Sequence, residues 1–325
     1  MNELEDCPGD RVSSLLFTPQ DQLLVTAWDC QTRLYDACDS SNVVAKIASS
    51  VPMISSRGLF SSVYTGGLDG SIRLVDLENQ SLSPLPVDKL EGGVAHMVNN
   101  NNTNSLLAGS WSGVMAQVDP RTNKTLGRWT VPHKIVAMDA NDQYLAVGMT
   151  NRVVHVYDHR NYSVPYQVRE SGLKFQMTDL KCWDEGYALS SIDGRVAIEF
   201  YDPSEAVQAK KYAFKGHRTS GQLMDEVYPI HGLCFNAGLL YTAGNDLVCS
   251  WNFQARKRVK SYKVPRSTVA PEIVPEVTHV SVDSSGKYMA IAVNESHQLN
   301  ISSNNQQAHH PNTTPHSKVY LKSMR

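Results

Sequence analysis

The sequence predicts an all-β fold, a ring of seven repeated four-stranded units, and three observations carry that prediction. Apolar residues recur at spacing two, while Gly and Asn interrupt nearly every window of helical spacing. Clusters of Gly, Asp, Asn and Ser punctuate the apolar runs as turns would. The third observation is self-similarity. LLVTAWDCQTRLYD, VYTGGLDGSIRLVD, LLAGSWSGVMAQVD, YLAVGMTNRVVHVYD, YALSSIDGRVAIEFYD and LLYTAGNDLVCSWN align, and they end at positions 36, 76, 119, 158, 202 and 252. The steps of 40, 43, 39, 44 and 50 residues bracket the ~40–45 residues of one four-stranded blade of a WD-type β-propeller.

Each unit reads as a strand, a turn of two to four residues, and a second alternating strand closed by an acid or Asn252. Upstream of each pair lies another alternating strand, VSSLLFTP before the first and KIVAMDAN before the fourth, placed innermost in its blade. VTHVSVDSSGKYMAIAV and KVYLKSM supply the seventh unit, around a polar interruption, HQLNISSNNQQAHHPNTTPHS. A flexible surface loop is expected over about 296–317, inside a single domain spanning 1–325. MNELE is a polar candidate for the strand that closes the ring, and a weak or frayed closure is expected there.

The chain has 325 residues, 41% hydrophobic and 19% charged, which suits a globular protein with a large core. Lys plus Arg is 30 against Asp plus Glu at 32, so no whole-molecule attraction to nucleic acid or anionic lipid follows. Cys7, Cys30, Cys38, Cys182, Cys234 and Cys249 form no CxxC pair and read as free thiols. MNELEDCPGD is not a secretory signal and no stretch approaches a membrane span, so a nuclear or cytoplasmic protein is expected. On that reading Asn123-Lys124-Thr125 carries no sugar.

Motifs of chemistry are missing. GSWSG at 109–113 has Trp111 where a nucleophile elbow needs serine, and Ser285-Gly286-Lys287 lacks the rest of a phosphate loop. Asp36, Asp76, Asp119, Asp158 and Asp202 sit on different blades and read as turn caps, not as a catalytic carboxylate ring. His309, His310 and His316 fit no metal motif. The expectation is a protein that is not an enzyme, with no cofactor and no metal.

What remains is a binding face. Eight residues before the closing acid, the first three blades carry Trp28, Leu68 and Trp111 in one turn, on one face of the ring. That makes an apolar patch suited to a partner, the alternative being that each indole packs on its neighbouring blade. Arg195 follows the Asp193-Gly194 turn at the same rim of the fifth blade, and KKYAFKGHR places Lys210, Lys211, Lys215, His217 and Arg218 nearby. Lysines alone read as a solvated edge. A guanidinium beside an apolar patch is suited to grip a carboxylate or phosphate, hence an acidic or phosphorylated peptide.

AWDCQTRLYD, ESGLKFQMTDLKC, EGYALSSIDGRVAIEFYDP, KKYAFKGHR and YPIHGLCFN, in this order, closely resemble the spindle-assembly-checkpoint WD-repeat protein of the "budding uninhibited by benzimidazoles" family. The resemblance covers nearly the whole chain. The messenger-RNA-export WD-repeat protein that binds nucleoporins is the nearest relative of that family. The resemblance implies a non-catalytic propeller that binds the GLEBS motif of the checkpoint kinase and its pseudokinase relative, with Trp28, Trp111 and Arg195 at motif-binding positions. It further implies recognition of phosphorylated MELT repeats of the kinetochore scaffold, with Lys211 the foremost candidate and Lys215 and Arg218 beside it. Recruitment to unattached kinetochores, a nuclear location, contacts with ubiquitin-ligase and checkpoint-complex components, and no direct nucleic acid or membrane partner follow. The alternative is an export adaptor binding a nucleoporin GLEBS motif. Two departures stand out: the sixth unit lacks a turn glycine after Asp246, and Gly216 replaces a cysteine common in the family.

Overall fold

The computed structural model describes residues 1–37, 42–219, 221, 224–265, 275–295 and 317–324. The polar segment expected to be flexible, with its three histidines, and Cys38 lie outside the described residues, apart from Ser317.

Seven four-stranded antiparallel sheets form the blades of a propeller. Blade one comprises Val12–Phe17, Gln22–Ala27, Gln31–Asp36 and Val43–Ala48 from the inside outwards. Blades two to six repeat the order, starting at Met53–Leu59, Val94–Asn100, Ile135–Ala140, Met177–Trp183 and Gly232–Asn236. Blade seven runs Pro275–Val282, Tyr288–Glu295 and Ser317–Ser323, and its outermost strand is Asn2–Glu3 from the other end of the chain. A two-stranded ribbon, Arg218–Thr219 with Glu226–Val227, leaves the end of blade five.

Burial explains the stacking. The second strand of blade five, Gly186–Ser191, is buried throughout, whereas the outer strand of blade three, Lys124–Thr130, is mostly exposed. A blade therefore has two apolar faces and cannot fold alone. Seven hydrophobic clusters fill the seven blade interfaces, one to each, and the cluster of Leu4, Leu23 and Val25 with Ala290, Ala292 and Leu321 seals blade seven to blade one. Each fully buried Leu or Val is worth ~1.5–3 kcal/mol.

Ring closure is firmer than the polar end of the chain suggests. Asn2 and Glu3 pair with Leu321 and Tyr320, and the next residue, Leu4, is buried and donates its N–H to Val319 O at 2.9 Å. Val319 N–H in turn reaches Cys7 Sγ at 3.3 Å, and Tyr35 Oη donates to Asp6 O at 3.0 Å. A two-residue strand is thus held by an apolar plug and by contacts beyond it.

Four of the five closing acids cap turns as expected. Asp76 accepts from Glu78 N and Asn79 N, Asp119 from Arg121 N, Asp158 from Arg160 N, and Asp202 from Ser204 N, all at 2.8–3.1 Å. Turn two-to-three is one residue shorter in blade six than in blades one, three, four and five: only Asn245 and Asp246 separate Leu239–Gly244 from Leu247–Asn252. Asn245 takes the left-handed conformation, φ 49°, in place of a glycine.

Candidate functional site

The turns between second and third strands crown one face of the ring. Their backbones are pinned to the segments entering the inner strands, with Trp28 N–H on Arg11 O at 2.9 Å and Leu68 N–H on Pro52 O at 3.0 Å. Trp28 and Trp111, both half-buried, stack with ring centroids 6.2 Å apart and planes within 6°. Such a pair adds ~0.5–1.5 kcal/mol beyond the area it buries. The indoles come from blades one and three, so they meet across two blade steps, and blade two presents Leu68, 38% exposed, at the equivalent position. Lys134 Nζ lies 5.3 Å from the Trp111 ring, a cation over an aromatic face that the repeat pattern does not indicate.

Arg195 opens the third strand of blade five. Gly194 before it has φ 67°, and a Cβ there would lie 2.7 Å from His217 O and 2.8 Å from Tyr228 O, so only glycine fits the turn. Asp193 organises the charges around it. Its Oδ2 lies 3.0 Å from Arg195 Nε and 3.8 Å from Arg218 Nη2, its carbonyl accepts from Arg218 at 3.2 Å, and Ser191 Oγ donates to its other carboxylate oxygen. Two guanidiniums share one carboxylate, which leaves a net positive corner with spare donors on Arg195, whose side chain is 38% exposed. Exposed Lys215 pairs with Arg195 across the sheet. His217 points inward instead, buried, with Nε2 2.9 Å from Thr242 Oγ1, which also accepts from Trp251 Nε1 at 3.0 Å.

Lys211 stands apart. It precedes the strand Tyr212–Lys215, so four residues, ~13 Å at ~3.3 Å per residue, separate it from Lys215. Its Nζ lies 4.0 Å from Glu199, which is also 4.0 Å from Arg169. Burial pushes the Glu199 carboxyl up, and the Lys211 and Arg169 cations act against that shift. Arg169 also donates to Phe200 O at 2.6 Å and Tyr201 O at 3.1 Å. These groups line a cleft of about 440 Å³ between blades four and five. Lysines that look like one run in sequence are therefore divided: Lys215 and Arg218 join Arg195, and Lys211 joins Arg169 and Glu199. Asp193 lies inside the turn motif and its position could have flagged it; Arg169 and Glu199 come from different blades and carry no joint signal.

The inner strands enclose a channel of about 460 Å³. Its carboxylates are structural braces between blades: Asp139 accepts Cys182 N–H and Asp179 accepts Leu233 N–H, each at 2.8 Å. Lys181 lies 3.5 Å from Asp179. Burial disfavours its charge, but Asp179 and Asp139 prevail and raise its pKa to about 12. No cluster of three metal-ligating side chains occurs among the described residues.

A closed ring of seven four-stranded blades with an aromatic and cationic rim defines a WD-type propeller, a scaffold class that works through its faces. The chain is 33% identical over 306 residues to the mitotic checkpoint protein bub3 of Dictyostelium discoideum, covering 89% of this chain and 87% of that one. It is also 33% identical over 303 residues to the mitotic checkpoint protein BUB3.1 of Arabidopsis thaliana, with 89% and 86% covered. The Poly(A)+ RNA export protein of Schizosaccharomyces pombe is more distant, at 27% over 280 residues, with 82% and 79% covered. No protein-family model matches. The chain belongs to the Bub3 family of mitotic checkpoint proteins.

Proposed function

We propose that this checkpoint propeller is a two-site adaptor that binds a GLEBS motif at its crowned rim and a phosphorylated MELT repeat through its lysines. The rim site comprises Trp28, Leu68, Trp111 and Arg195; the phosphopeptide site comprises Lys211, with Lys215 and Arg218 as secondary contacts. The observation that carries the reading is the half-buried Trp28–Trp111 stack, aromatic surface left open beside Leu68 on the face where Arg195 keeps spare donors. Aromatic and arginine side chains in such a setting are the usual anchors of a peptide interface. A phosphothreonine, with ~1.5–2 negative charges, gains more against a lysine than a threonine does. The result would be recruitment of the checkpoint kinase and its pseudokinase relative to unattached kinetochores, in the nucleus.

Calorimetric titration with a phosphorylated MELT peptide, with and without a bound GLEBS segment, tests this. Phosphate-dependent binding to the GLEBS-loaded protein is expected. Tight GLEBS binding with no response to the phosphopeptide would favour an export adaptor on a nucleoporin, the reading that the 27% likeness to the RNA export protein supports.

A further inference from the structure

The outer strand of blade six, Lys257–Lys263, follows Arg256, and the eight residues RKRVKSYK hold five cations and no acid. All five are exposed, and none forms an ion pair among the described residues. Some exposed cations elsewhere have partners, Arg121 with Asp119, Arg160 with Asp158 and Lys46 with Asp6, while Lys124, Arg128 and Lys215 form no ion pair among the described residues. The density of the strip sets it apart, and lack of a partner alone does not. Nor does protection of a free sheet edge explain so many charges. The outer strands Val43–Ala48 and Tyr212–Lys215 carry one cation each and Ser81–Pro84 carries none, although a lone lysine is enough to discourage edge pairing. In a chain of net charge -2, this strip is a concentrated exception.

Two rings hold part of the strip in place. The Arg256 guanidinium sits 4.4 Å from the Tyr212 centroid, and Lys260 Nζ and Lys322 Nζ sit 5.2 and 6.0 Å from the Tyr262 centroid. We infer that the outer strand of blade six is a docking surface for an extended acidic protein segment. A bulge leaves Val259 out of the pairing, since Arg258 faces Trp251 and Lys260 faces Ser250, so the cations leave the strand on both sides. An extended segment lying alongside, with its own side chains alternating, can set acids against them along its length. Single-stranded nucleic acid fits less well. Its binding rests on bases stacked on open aromatic rings, whereas Tyr212 is already covered by Arg256 and Tyr262 is only 9% exposed.

The test is fluorescence anisotropy of the full chain with a labelled Glu-Ser repeat peptide and, separately, with labelled oligothymidylate. The peptide is expected to bind and to weaken as salt is added. Lys257→Glu, Lys260→Glu and Lys263→Glu together should reduce its affinity by about tenfold or more, with the three glutamine replacements giving a smaller loss. Lys124→Glu with Arg128→Glu, on the outer strand of blade three, should leave it unchanged. Equal loss in that control, no binding of the peptide at low salt, or tighter binding of oligothymidylate would each overturn the proposal.

Discussion

Arg195 shares Asp193 with Arg218, so removing Arg195 leaves the carboxylate with a partner and the fold with little to lose. Its expected cost falls on binding. Arg195→Ala should weaken a GLEBS peptide by about 2 kcal/mol or more, as for one partner of a largely desolvated charge pair, while the thermal midpoint stays near that of the parent. Unchanged affinity by calorimetry would remove Arg195 from the site. Lys211→Glu sets a second acid beside Glu199, in a place that now has a cation 4.0 Å away. It should erase the preference for phosphorylated over plain MELT peptide and leave GLEBS affinity nearly intact. Comparable loss of both would show that the two ligands share one site. The positions of Trp28 and Trp111 were legible because a repeat gives each residue an address. Their stacking was not, because it depends on how far the ring brings blades one and three together.

At the scale of the element, blade six shows what a hairpin hides from its sequence. The missing turn glycine reads as a defect, yet the turn is simply shorter and Asn245 adopts the positive φ required. The same blade takes in His217 from the segment before it, through Thr242 and Trp251. Burial holds this imidazole neutral, with its pKa pulled down to about 4 from 6.5. The unfolded chain accepts a proton below pH 6.5 that the folded chain refuses until about pH 4. The stability contributed is therefore complete above pH 6.5 and falls as pH drops toward 4, by up to about 3 kcal/mol. Urea midpoints measured across that window should decline for the parent and decline less steeply for His217→Gln. Identical slopes would mean that other groups govern the acid limb. Bulges also escaped the sequence: six inner strands slip register near their start, at Val12/Ser14, Met53/Ser55, Val94/His96, Ile135/Ala137, Met177/Leu180 and Val277/His279. No residue type marks those slips, since the two strands, not one, define them.

For the whole molecule, the period of the repeat was sufficient to give the architecture, because a strand, turn and strand with two apolar faces has few ways to be buried other than against copies of itself. The manner of closure was harder to read. Asn2 and Glu3 look too polar to hold a ring, and the apolar residue that does so, Leu4, is a single leucine outside any alternating run. Leu4→Ala should cost about 2–5 kcal/mol, as for other buried leucines, seen as a lower urea midpoint. A negligible shift would show that the remaining contacts of the seam suffice without it.

That seam also sets a timetable. Asn2 cannot pair with Leu321 until the 319 residues after it, through Leu321, have been made, and at ~5–20 residues per second that takes about 16–64 s. Throughout that interval the first blade lacks its far neighbour, and the apolar flank formed by Leu4, Leu23 and Val25 has no cover until Ala290, Ala292 and Leu321 emerge from the ribosome. The newborn protein thus carries an uncovered apolar flank on its first blade for most of its synthesis, until the last strand covers it.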